Sequence, residues 1–113
     1  MSFHDDKLWQ EAYVAAIDTL EATHSASSGQ ADGLDGDLVD QVRKHSMMVL
    51  TEVGQAVANR DRKVRDLKLH NVANIIIALR SLLSLLWARE GFDDATFGKL
   101  DASYEALANK LPH

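Results

Sequence analysis

Residues 71 to 88 read NVANIIIALRSLLSLLWA, and no other stretch limits the fold as tightly. Wound onto a helix at about 100° per residue, Val72, Ile75, Ile76, Leu79, Leu82, Leu83 and Leu86 form one broad apolar stripe. Apolar residues continue outside it: Leu69, Ala73, Ile77 and Trp87 on one flank, Leu67, Ala78 and Leu85 on the other. A helix apolar on both flanks is normally covered on both. Lipid is a poor cover, because Asn71, Asn74 and Arg80 interrupt the run. A mid-helix arginine alone costs about 2.5–3.5 kcal/mol on insertion into a bilayer. No membrane partner is expected. Neighbouring helices of the same chain account for one flank, and the other predicts a homo-oligomer interface. The competing cover is the chain's own loop at 25 to 36, folded back over the strip.

The chain has 113 residues, one domain's worth, so a single domain over 1–113 is expected. Its one proline, Pro112, stands next to the end, leaving every earlier helix uninterrupted. Four helix-length segments result, at about 5–24, 37–59, 63–90 and 93–111. The first carries Leu8, Trp9, Ala12, Tyr13, Ala16, Ile17 and Leu20 along one stripe, with Asp5 and Asp6 suited to its positive end. SASSGQADGLDG reads as a loop, after which Asp37 can cap the second helix. That helix aligns Leu38, Val42, Val49, Val53 and Val57, and the stripe passes His45 and Ser46, so a hydrogen-bonded polar group is expected in the core. NRDRKVR turns the chain into the third helix, which Gly91 ends as a left-handed cap. Asp93 caps the last, whose seam is Phe97, Leu100, Tyr104, Leu107 and Leu111. Nothing alternates with period two over a useful length. The expected fold is all-α, an antiparallel up-down-up-down four-helix bundle.

Chemistry is harder to find. There is no cysteine, hence no thiol nucleophile or thiolate metal site. Glu21 and His24 make a single Glu-x-x-His, where a di-iron bundle needs two copies and further glutamates; no metal and no cofactor is expected. His45 and His70 lie inside helices, and Asp66 four residues before His70 has the spacing of an ordinary surface pair. With no catalytic constellation and no phosphate loop, the chain is not expected to be an enzyme. The opening MSFHDDKLWQEA lacks a basic stretch followed by an apolar run, so a cytoplasmic location is the default expectation.

Charge is unevenly placed. Between Arg43 and Lys68 seven bases face three acids, a net of +4, which leaves −9 for the remainder of a chain at −5. Arg60, Arg62, Lys63, Arg65 and Lys68 are the candidate contact for nucleic acid or a protein partner. Asp61 and Asp66 lie among them, no aromatic residue between 38 and 86 is available to stack on bases, and the chain is acidic overall. Nucleic acid is therefore a possible partner that the sequence does not favour.

Three fragments, KLWQEA at 7–12, LVDQVRKHSMMVLTEV at 38–53 and REGFDDATF at 89–97, resemble, in order, the four-helix-bundle family encoded in intervening sequences of bacterial 23S rRNA genes. That family is related to the accessory variability determinant of diversity-generating retroelements, a basic pentamer that binds nucleic acid and a reverse transcriptase. The resemblance implies an up-down-up-down bundle and a homo-oligomer of five subunits. This chain departs from the family's polar second- and third-helix positions, reading Met48-Val49-Leu50, Glu52 and Gln55-Ala56, and then Ile75, Ile76 and Leu79. No functional residue is therefore carried over. The expected role is a non-enzymatic self-associating scaffold or interaction module.

Overall fold

The computed structural model describes residues 2–27 and 33–112. A short 3-10 turn, Phe3–Asp5, precedes α1 (Lys7–Ser27), α2 (Gly33–Ala58), α3 (Arg62–Ala88) and α4 (Asp94–Asn109). Helices of 26 and 27 residues are about 40 Å long at ~1.5 Å per residue, so in a body of 45 × 24 × 24 Å they lie along the long axis. Only Asn59–Asp61 joins α2 to α3, and only Arg89–Asp93 joins α3 to α4. Connections this short make neighbouring helices antiparallel. Each helix packs on two others in the cycle α1, α2, α3, α4, which puts α1 diagonally opposite α3. The molecule is an all-α four-helix bundle.

The core is built mainly by α2, α3 and α4. Val42, Val49 and Val53 of α2 meet Val72, Ile76, Leu79 and Leu83 of α3, and α4 adds Leu100, Tyr104 and Leu107. Ser46 is the polar residue inside the α2 stripe, donating to the Arg43 carbonyl at 2.9 Å. His45 stays at the edge, half-buried, its Nδ1–H donating to the Gln41 carbonyl at 2.7 Å.

α1 differs from expectation. Its buried residues are Ala12, Ala15, Ala16, Thr19 and Thr23, while Tyr13 and Ile17 point outward. Small side chains bring the α1 backbone close to the core, and the two threonines satisfy their hydroxyls on their own helix. Thr19 donates to the Ala15 carbonyl at 2.7 Å and Thr23 to the Thr19 carbonyl at 2.8 Å. Tyr104 reaches across from α4 to this alanine-threonine face, donating to Thr19 Oγ1 at 2.8 Å.

Helix ends shift as well. Asp6, not Asp5, caps α1 by accepting from the Leu8 and Trp9 amides at 2.8 and 3.2 Å. Residues 33–36, expected in the loop, are helical, so Asp37 lies inside α2 and caps nothing. Burial of Leu38 and Val39 and an Asp35–Arg89 ion pair outweigh the low helix propensity of Gly33 and Gly36. Residues 28–32 of the expected loop lie outside the described residues. Asp61 caps α3, and Asp93 caps α4 as its spacing predicts. Thr96 holds the Asp93 carboxyl below its ordinary range by hydrogen bonding to the ionised form.

At the end of α3 the left-handed residue is Glu90 (φ 66°), one position before the glycine expected there. The Glu90 amide donates to the Trp87 carbonyl and the Gly91 amide to the Leu86 carbonyl, both at 2.9 Å, which makes a Schellman stop. A side chain at φ > 0 costs about 1 kcal/mol, and the exposed Glu90 side chain has no hydrogen bond or ion pair among the described residues to offset it. Glu90→Gly is therefore expected to raise the melting temperature by a few degrees, for a gain of about 1 kcal/mol. Gly91 is needed for another reason. A Cβ there would stand 2.5 Å from Leu86 Cδ1 and 2.8 Å from its Cγ. Because Leu86 is buried, Gly91→Ala should lower stability by about 1–3 kcal/mol in the same melting experiment.

Candidate interaction surfaces

The outer face of α3 is nearly uncharged, with exposed aliphatic side chains set among His70, Asn74, Ser81 and Ser84. Leu67, Ile77 and Leu85 are 72 %, 65 % and 47 % exposed, Leu67 and Leu85 at one edge of the outward face and Ile77 at the other, about 80° away. Between them Ser81 and Ser84 donate to carbonyls of their own helix, Ile77 and Arg80, at 2.9 Å each. From Leu69 to Ala88 the one formal charge is Arg80. It is turned toward α4, gripping Asp101 with two bonds of 2.8 and 3.1 Å and Glu105 at 3.1 Å. The hydrogen bond to Asp101 holds its guanidinium above its usual range. Among the described residues α3 is also the one helix long and apolar enough to cross a bilayer by length and composition. Here its inner stripe is spent on α2 and α4.

Three of the seven expected interface residues make up this open strip. Leu69 is a correction: it is buried in the core, one heptad step before Ile76. Ala73 and Ala78 are half-buried on the strip's borders. Trp87 is partly exposed, yet its ring stacks on Phe97 at 4.6 Å with planes 9° apart, and its Nε1–H donates to Asp94 at 2.9 Å. It therefore belongs to the α3–α4 seam.

A second apolar face was missed by the sequence reading. On α1 and α2, Met47, Tyr13 and Ile17 are 48 %, 45 % and 38 % exposed, while Val14, 57 % exposed, lies on the other side of α1 beside Ser103 and Ala106 of α4. Beside them runs an aromatic ladder. Phe3 meets Trp9 edge-on at 5.5 Å, and Trp9 stacks on Tyr13 at 5.2 Å. Trp9 lies over Gly54 of α2, where a Cβ would be 3.4 Å from the indole. A groove floored by Gly54 and Ala58 and walled by Phe3, Trp9 and Leu50 results. The usable signal was the alternative stripe Ala12, Ala15, Ala16, Thr19 and Thr23, which turns the large side chains of α1 outward.

The basic run is partly consumed inside the molecule. Arg65 donates to the Asn59 carbonyl at 3.2 Å, closing the C-terminus of α2. Lys68 reaches α2, donating to Gln55 at 3.3 Å with Glu52 at 4.0 Å. Arg62 stands 4.0 Å from Asp66, which is thus taken from the expected pairing with His70. Arg60 and Lys63 are exposed and have no ion-pair partner among the described residues.

Glu21 and His24 are both exposed near the end of α1. Among the described residues no three His, Asp or Glu side chains are grouped closely enough to hold a metal ion. Compared with models of known families, with characterised proteins and with solved structures, the chain matches none.

Proposed function

We propose that this chain is a non-enzymatic, self-associating four-helix bundle that works as a scaffold or interaction module in the cytoplasm. The observation that carries this is the exposure of Leu67, Ile77 and Leu85 on a helix whose residues 69–88 hold one formal charge, Arg80, already paired with α4. Three large aliphatic side chains exposed on one nearly uncharged helix face cost solubility unless something covers them. The resemblance to the intervening-sequence bundles sets five as the expected number of subunits. Light scattering on the purified chain at micromolar concentration is the test. An assembly of several chains is expected; a single-chain mass would overturn the reading.

A second reading has a specific observation behind it. Arg60 and Lys63 are exposed and without an ion-pair partner among the described residues, and a ring of subunits would repeat them around its axis. RNA or DNA retained through them would fall away steeply with salt, because each phosphate contact releases a counterion. Absence of any retention at ~50 mM salt would rule this role out.

A further inference from the structure

We propose that the groove over Gly54 and the charged cavity beside it form one binding site for a free amino acid with a large apolar side chain. The site stands independently of self-association. The groove, about 430 Å³, is almost wholly apolar, walled by Phe3, Trp9 and Leu50 and floored by Gly54 and Ala58. That volume lies within the roughly 300–1,000 Å³ of ordinary small-molecule sites. Gly54 sits inside α2 in ordinary helical backbone, where glycine is a poorer helix former than alanine. An alanine Cβ there would meet Trp9 Cδ1 and Nε1 at 3.4 Å and Phe3 Cε2 at 3.9 Å, close but ordinary contacts. The fold thus has room for a methyl group at this position, and its absence leaves a slot beneath two aromatic rings. A branched or aromatic side chain entering the slot packs against both rings.

The second cavity, about 660 Å³, adjoins the groove, for Phe3 and Ala58 border both. It holds charges of both signs: Asp5, Asp6 and Lys7 on one side, Arg60 and Arg65 on the other. The Asp6 carboxylate is committed to the Leu8 and Trp9 amides. The exposed Asp5 carboxylate has no ion-pair partner among the described residues. Arg65 places one terminal nitrogen on the Asn59 carbonyl, and its buried Nε–H has no acceptor among the described residues. The cavity therefore keeps an open carboxylate beside a guanidinium with unused donors. A ligand of one charge is attracted by one of these and repelled by the other, whereas an α-ammonium and an α-carboxylate on one carbon suit both. With the ammonium at Asp5 and the carboxylate at Arg60 and Arg65, the side chain extends past Phe3 and Ala58 into the groove. Both charges at one end and an oily slot at the other is the pattern of an apolar amino acid.

The chain has two tryptophans, and Trp87→Phe leaves Trp9 as the one indole reporter. Titrating this variant with L-leucine or L-phenylalanine should change Trp9 emission saturably, with half-saturation below ~1 mM. Leucinamide, which lacks the carboxylate, and 4-methylpentanoate, which lacks the ammonium, should bind at least about tenfold more weakly. Asp5→Asn and Arg60→Gln alter exposed side chains outside the core and should each weaken L-leucine about tenfold. Gly54→Ala fills the slot and should abolish the response, while helical circular dichroism is kept and the melting temperature does not fall. No saturable change with either amino acid up to ~10 mM would overturn the proposal. Equal binding of either analogue would overturn the zwitterion, and undiminished binding by Gly54→Ala would put the ligand elsewhere and overturn the site. Each titration is read at whatever mass light scattering gives, so its result stands apart from that of the assembly.

Discussion

Replacing Tyr104 with alanine should cost about 3–5 kcal/mol, the scale for deleting a large aromatic side chain from a core. That is a large share of the roughly 5–15 kcal/mol that holds a domain folded. Tyr104 is among the largest fully buried side chains, set between the leucine seam of α4 and the alanine-threonine face of α1. No neighbour on α1 is big enough to fill the space. Tyr104→Phe separates volume from hydroxyl. Thr19 keeps its bond to the Ala15 carbonyl when the phenol is gone, so a loss of only about 1 kcal/mol is expected. Urea unfolding followed by circular dichroism reads both, and a loss below about 1 kcal/mol for the alanine variant would mean that α1 and α4 do not depend on this contact. The pair also carries a pH signature. Burial pushes the Tyr104 hydroxyl up from 10.0 to about 12. Its neutral form is the one the fold accepts, so its contribution is whole below the unfolded value and is lost as pH rises through the folded one. The parent should therefore lose stability between about pH 10 and pH 12, with a smaller loss in Tyr104→Phe.

Where side-chain size and burial agree, the bundle was readable from the sequence. The α4 seam from Phe97 to Leu111 and the valines of α2 lie inward as their spacing predicts. α1 was misread because the apolar stripe followed bulk. Its inward face is made of alanines and self-bonded threonines, and ranking by side-chain bulk places these below Tyr13 and Ile17. The misreading hid the second apolar face. Leu69 was misplaced for a different reason. Leu69, Val72, Ile76, Leu79, Leu83 and Leu86 repeat at three, four, three, four and three, a seam that places Leu69 inside. The wider stripe through Ile75 and Leu82 shifts the apparent centre of the apolar face away from Leu69. The fate of the basic run was not legible at all. Which of five cations stays free depends on Glu52 and Gln55 of α2 and on the Asn59 carbonyl in the turn after it, and charge counting along the chain does not see them.

Ile77→Glu combined with Leu85→Glu is expected to dissociate the proposed assembly while leaving each subunit folded. Both side chains point away from the core, so the inner stripe from Leu69 to Leu86 is untouched and α3 keeps its packing on α2 and α4. In an assembly the same side chains are covered, and each fully buried aliphatic group contributes about 1.5–3 kcal/mol. A carboxylate in its place must lose its hydration besides, with no partner at hand, since Arg80 is already held by Asp101 and Glu105. At 1.4 kcal/mol per tenfold, the two replacements should weaken association by at least about a hundredfold. Light scattering at micromolar concentration should then report a single chain, with helical circular dichroism and urea midpoint close to those of the parent. Leu69→Glu is the informative contrast. Sequence spacing put it on the same flank as Ile77, but it is buried in the core, so it should unfold the subunit instead of releasing it. A double variant that keeps the parent's mass would show that the outer face of α3 is not where copies meet, and the scaffold reading would lose its footing.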